Sequence, residues 1–195
     1  MPSKTCAACA PGGIDSEDVT DMPLALAPLT PEPLALMPLT ERDVRELIAA
    51  PYAFAARHRL VIEDGACAPA FIYERALSNM QLAPAWAGLL GTRLYVLDGQ
   101  RVVGGGGGEA PPTQDGEVEI GYGMAPAWRG RGLGTQAAHG LTEEALAHGA
   151  QRVIACTRPD NIASWRLLER IGFVRDGERP DPDDGMLWRW VRKRG

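Results

Sequence analysis

The chain has 195 residues, 45% of them hydrophobic, which suits one globular domain with a substantial core. Its formal net charge of −5 argues against a general nucleic-acid-binding surface, and no apolar run approaches the ~20 residues needed to cross a bilayer. Four scattered cysteines exclude a disulfide framework, so free thiols and a cytoplasmic location are expected.

Residues 1–31 are rich in Ala, Pro, Gly and acidic side chains, and are expected to form an extended or disordered segment without a secretory signal. Within it Cys6 and Cys9 have zinc-knuckle spacing, but no second Cys or His pair accompanies them. A single domain is expected over residues 32–195. Its first strand lies near residues 34–39, after which Thr40 and Asp43 form a capping-box pattern ahead of a Val44, Leu47 and Ile48 stripe. A second helical pattern runs from about Ala68 to Leu82, and residues 51–59 read as the connection between the two helices. Asp98-Gly99 marks a hairpin between the apolar runs at residues 93–97 and 101–103. The five glycines at residues 104–108 read as a flexible strand end, weak in pairing, with no assignable ligand.

Residues 117–122 alternate polar and apolar side chains like a half-buried strand. The Arg- and Gly-rich turn from Ala125 to Thr135 then leads into a helix whose Ala137, Ala138, Leu141 and Ala145 share one face. A strand that enters a helix through glycines leaves the first helical N–H groups unpaired, and with the helix dipole these form a phosphate site. Arg129 and Arg131 add positive charge there. A further strand at residues 152–157 contains Cys156, read as a buried small hydrophobe. Asn161, with Asp160 as rival, caps a helix carrying Ser164, Leu168 and Ile171, and Gly172 reads as its left-handed cap. Two last strands, from about Phe173 to Arg179 and from Met186 to Val191, flank an acidic turn. His58, His139 and His148 show no metal-ligand spacing, so no metal is expected.

The turn fits neither the Rossmann fingerprint nor the Walker loop. The order Arg129-x-x-Gly132-x-Gly134, helix, strand, Asn161-x-x-Ser164 and Gly172-Phe173 resembles the GNAT superfamily of acetyl-coenzyme A-dependent N-acetyltransferases. It is most similar to the branch that includes ribosomal-protein-alanine acetyltransferases. The match is clear over about residues 117–175 and weaker back to about residue 34. The resemblance implies an α/β fold: a mixed, mostly antiparallel sheet of about six or seven strands, helices on both faces, and a splayed strand pair at the cofactor. It also implies acetyl-coenzyme A as co-substrate along residues 124–135. The pyrophosphate would rest on the N–H groups from Arg129 through Gly130, Arg131, Gly132, Leu133 and Gly134 to Thr135. Tyr122 and Gly123 would border the pantetheine arm, the backbone N–H near Met124 is the candidate oxyanion donor, and Asn161 would touch the arm.

Acetyl transfer to an amine requires a neutral nitrogen, a polarised thioester carbonyl and a proton for the leaving thiolate. Glu119 is the candidate base or water-orienting residue, with Glu117 as rival; an exposed strand carboxylate is the plain alternative. Ser164 stands where many family members place a tyrosine acid, and is expected to steady or protonate the thiolate. Arg166 and Arg170 are either contacts of the adenosine phosphates or ordinary helix-surface arginines. The family's acceptor pocket maps onto Tyr52, Phe54, Arg57, Phe71 and Tyr73. The expected activity is N-acetylation of a primary amine by direct attack, with a protein or peptide α-amine as the preferred acceptor. The alternatives are a small-molecule acetyltransferase (amino acid, polyamine or antibiotic) and a non-catalytic acyl-coenzyme A sensor. Neither nucleic acid nor membrane is an expected partner, and a monomer or homodimer is expected.

Overall fold

A computed structural model describes residues 34–195; the readings of residues 1–31, including Cys6 and Cys9, lie outside the described residues. Strand β1 (Leu34–Pro38) leads into α1 (Glu41–Ala49) through a capping box. There Thr40 Oγ1 accepts the Asp43 N–H at 3.2 Å, and the Asp43 carboxylate accepts the Thr40 N–H at 3.0 Å. Helix α2 (Pro51–His58) occupies the segment that the sequence reads as a connection. Pro51 opens this helix, at a position where its missing N–H leaves no hydrogen bond unmade. The chain continues through β2 (Val61–Ile62), α3 (Ala70–Leu82), α4 (Ala87–Leu90), β3 (Arg93–Leu97), β4 (Arg101–Gly108) and β5 (Glu117–Met124). It closes with α5 (Leu133–Ala147), β6 (Arg152–Thr157), α6 (Ile162–Arg170), β7 (Val174–Asp181) and β8 (Gly185–Lys193).

Among the described residues the strands form one sheet, in the order β1-β3-β4-β5-β6-β8-β7, with β2 on β4 outside that path. Neighbours are antiparallel except β5 with β6 and β2 with β4. The eighth strand, beyond the six or seven expected, is the two-residue β2, too short to show an alternation. Side chains of β3 alternate between two cores. Tyr95 and Leu97 join Val118, Ala137, Leu141 and Leu168 on the α5 and α6 side, while Leu94 and Val96 join Val44, Leu47 and Phe54 beneath α1 and α2. Helices therefore cover both faces, as expected.

Two features of the sheet position the site. First, residues 104–108 form the inner half of β4, paired with β5 throughout and with β3 as far as Gly106, and not a loose strand end. The neighbours approach too closely for side chains: a β-carbon on Gly106 would collide with the Tyr95 hydroxyl and the Gly121 carbonyl oxygen. Second, β5 pairs with β6 only from Glu117↔Arg152 to Glu119↔Ile154. Beyond that point β6 keeps its other neighbour, β8, as far as Thr157↔Trp188, and β5 keeps β4, so an opening is left between them.

Candidate active site

The loop after β5 begins with a 3-10 turn at Pro126–Trp128 and ends at Gly132, whose φ of 79° starts α5 in the left-handed region open to glycine. At its two ends, Arg129 N–H donates to Pro126 O at 3.3 Å and Thr135 N–H to Gly132 O at 3.1 Å. Between them the N–H groups of Gly130, Arg131, Gly132, Leu133 and Gly134 have no acceptor among the described residues. Both arginines are engaged within the loop: Arg129 Nε donates to Met124 O at 3.1 Å, and the Arg131 guanidinium stacks 4.5 Å from the Trp128 ring centre. Five bare N–H groups at a helix start form a cradle for a phosphate-bearing ligand.

The opening beside β5 receives different groups on its two faces. Ala125 N–H donates to Val103 O on β4 at 2.8 Å, so by strand alternation the N–H groups of Met124 and Tyr122 point into the opening. On the α6 face, Asn161 caps the helix by accepting the Ser164 N–H at 3.2 Å, and Ser164 Oγ lies 2.8 Å from the Tyr122 hydroxyl. Burial pushes the Tyr122 hydroxyl up to about 12, so it stays protonated near neutral pH. The two hydroxyls carry two protons and share one hydrogen bond, which leaves one proton for an atom in the opening.

On the other face of β5, Glu119 is held at both oxygens by Arg179 of β7, at 2.6 and 2.8 Å. Cys156, read from sequence as a buried small hydrophobe, is half-buried beside this pair. Burial, then the Glu119 carboxylate, push its thiol up to about 12. Glu117 is taken up by Arg189 at 2.9 Å and Arg152 at 3.2 Å.

A cavity of 330 Å³ lies between α3 and the glycine half of β4, bordered by Gly121, Gly123 and Met124 of β5 and by Arg129. Among the described residues one carboxylate lines it, Glu109, directly after β4. The Glu109 N–H donates to Glu119 O at 2.8 Å, its carbonyl accepts from Asn79 Nδ2 at 2.9 Å, and its carboxylate pairs with Arg75 of α3. Burial raises the Glu109 carboxyl above its ordinary range, and the charge of Arg75 opposes the rise. Of the five residues mapped to the acceptor pocket, only Tyr73 lines this cavity. Tyr52 is 90% and Phe71 62% exposed, Phe54 is fully buried in the core under α1 and α2, and Arg57 is bound by Asp43 and Glu46. Sequence reasoning passed over Glu109, Arg75 and Arg179. The signal for Glu109 was its position at the end of the glycine run, whereas nothing local marks the two arginines.

The acetyltransferase (GNAT) domain family matches residues 34–174. An uncharacterized N-acetyltransferase, YjdG of Bacillus subtilis (strain 168), is 33% identical over 78 residues, covering 40% of this chain and 46% of the relative. The chain thus spans less than half the length of this curated relative. Among solved structures, RimL, a ribosomal L7/L12 alpha-N-protein acetyltransferase in complex with coenzyme A, is similar with a TM-score of 0.59 and 18% identity. That likeness covers 82% of this chain and 93% of RimL. The ribosomal-protein-S5-alanine acetyltransferase from Vibrio fischeri is similar with a TM-score of 0.57 and 16% identity, over 83% of this chain and 92% of that one. The aminoglycoside acetyltransferase AAC(6')-Ib in complex with coenzyme A has a TM-score of 0.55 and 20% identity, over 83% and 95%. At these identities the structures share the fold.

Proposed function

The chain belongs to the acetyltransferase (GNAT) family, and on that premise we propose that it transfers the acetyl group of acetyl-coenzyme A to a primary amine by direct attack. The observation that carries this reading is the run of five bare N–H groups beside a strand pair that stops pairing. The residues fit coenzyme A: the N–H run suits its pyrophosphate, and the opening suits a narrow arm that pairs with the free edge of β5 like an added strand. The N–H of Met124 then polarises the thioester carbonyl, and Ser164, backed by Tyr122, supplies the leaving sulfur with a hydrogen bond or proton. Glu119, held by Arg179, orients a water toward the acceptor. Cys156 stays a protonated thiol near neutral pH, which supports attack by the amine itself and not through an acetyl-enzyme.

The acceptor enters through the cavity beside α3. A peptide α-amine is favoured because its reference pKa is about 8, against about 10.4 for a lysine side chain, so more of it is neutral near pH 7. That RimL is an alpha-N-protein acetyltransferase and the Vibrio enzyme a ribosomal-protein-S5-alanine acetyltransferase supports the same choice. A thiol-release assay across peptides with free α-amines, α-blocked lysine, polyamines, amino acids and aminoglycosides tests it. The expected result is faster release with an alanine-initiated peptide than with α-blocked lysine. A clear preference for lysine overturns the acceptor choice, and acetyl-coenzyme A binding without release on any amine indicates a sensor.

A further inference from the structure

We infer that Glu109 is a catalytic residue that receives the proton of the acceptor's ammonium, so that the acceptor arrives as a cation paired with this carboxylate. The inference rests on the acetyltransferase reading and deepens it. Among the described residues Glu109 is the only carboxylate lining the cavity, and Glu119 is not part of its wall. The Glu109 carboxylate fills the space that a β-carbon on Gly121 would need, so it lies directly against β5 at that residue. Gly121 is two residues nearer than Glu119 to Met124, a gain of about 7 Å at the ~3.3 Å rise of a strand. The two carboxylates are also differently engaged. Arg179 takes both oxygens of Glu119, while the contact of Glu109 with Arg75 uses one, Oε2. Hydrogen bonds to Glu119 O and from Asn79 hold the Glu109 backbone at both its N–H and its carbonyl.

Among the described residues the charges facing Glu109 are Arg75 on α3, Glu119 on β5 and Arg179 on β7; Arg129, Tyr73 and Cys67 are the other titratable groups of the cavity. Burial raises the Glu109 carboxyl, which makes it a stronger base, and Arg75 works against that rise. In the step itself, the R–NH3⁺ acceptor gives one proton to the Glu109 carboxylate and becomes R–NH2. The nitrogen lone pair forms the C–N bond as the C–S bond breaks. The sulfur keeps that bond's electron pair and is protonated, directly or through Ser164, at the expense of the second nitrogen proton, leaving the amide and a thiol, and Glu109 returns its proton to solvent.

The test is kcat/KM for an alanine-initiated peptide against pH in the wild-type chain, E109Q, E109D, E119Q and R75Q, with acetyl-coenzyme A affinity measured by calorimetry. E109Q is expected to lose about 10²-fold or more at neutral pH, the usual scale for a lost general base, with acetyl-coenzyme A affinity unchanged. The deficit should shrink as pH rises past the amine's own pKa of about 8, because a neutral amine has no proton to give away. A protonated Glu109 cannot accept, so wild-type activity falls as pH falls through its raised value. R75Q removes the opposing charge and moves that limb to higher pH. E119Q keeps an acid limb but moves it to lower pH, because the Glu119 charge also raises the Glu109 carboxyl, and E109D recovers part of the rate. Wild-type kcat/KM in E109Q, or a deficit equal at every pH, overturns the inference. Should E109Q fail to fold, an acid limb unmoved in both E109D and R75Q overturns it as well. If the wild-type chain binds acetyl-coenzyme A yet no amine in the panel releases thiol, the acetyltransferase reading falls and takes this inference with it.

Discussion

The proposed function makes the paired hydroxyls of Ser164 and Tyr122 a proton source. Their 2.8 Å hydrogen bond consumes one of two protons, and burial holds Tyr122 protonated well above neutral pH. On the proposed function, Ser164→Ala lowers turnover by about 10²-fold if the serine gives the proton and by less if it only orients the sulfur. Acetyl-coenzyme A affinity should change little. Tyr122→Phe should cost less, because the serine keeps its own proton. Steady-state turnover with calorimetric affinity separates these outcomes, and wild-type turnover in Ser164→Ala removes the residue from the mechanism.

At the scale of elements, β4 decides whether there is a cavity at all. Its glycine half runs along β5, and between β3 and β5 as far as Gly106, so side chains there would fill the space facing α3 or strike the adjoining backbone. Gly106→Ala is expected to destabilise the fold by about 1–3 kcal/mol, because its β-carbon meets the Gly121 backbone and the buried Tyr95 hydroxyl. Gly123→Ala is the control: its β-carbon meets nothing within 4 Å, and it should unfold at the wild-type temperature. Thermal unfolding of the two variants checks the contrast. Equal stability would mean that the strands have room to separate at Gly106.

For the whole molecule, two cores on opposite faces hold the sheet while the opening between β5 and β6 remains free for a ligand. A ligand that binds only the folded chain stabilises it by about 2.7 kcal/mol at a hundredfold excess over Kd, so acetyl-coenzyme A should raise the unfolding temperature. We propose that residues 32–195 act as one acetyltransferase domain, and removing residues 1–31 should leave that rise intact. Gly132→Glu should abolish it, because a β-carbon at φ 79° is strained and a carboxylate there repels the phosphates. An undiminished rise in folded Gly132→Glu would refute the placement of the pyrophosphate.

The sequence by itself determined whatever depends on neighbours along the chain. The Thr40 capping box, the Asn161 cap, the left-handed Gly172, and the strand-loop-helix order around residue 129 are set by contacts within a few residues. Alternation in β5 likewise located Glu119 and Tyr122 on opposite faces of the sheet. Only the tertiary structure decided the rest. Pro51 can open a helix as readily as it can end one, so α2 needed the core around Phe54 to declare itself. Five glycines carry no side-chain pattern, so nothing short of the paired strands distinguishes a frayed end from the centre of a sheet. Arg179 stands 60 residues from Glu119, and Arg75 stands 34 from Glu109. Such pairs are drawn together by strand order and helix packing, and a one-dimensional pattern holds no record of which charges will face each other across the sheet.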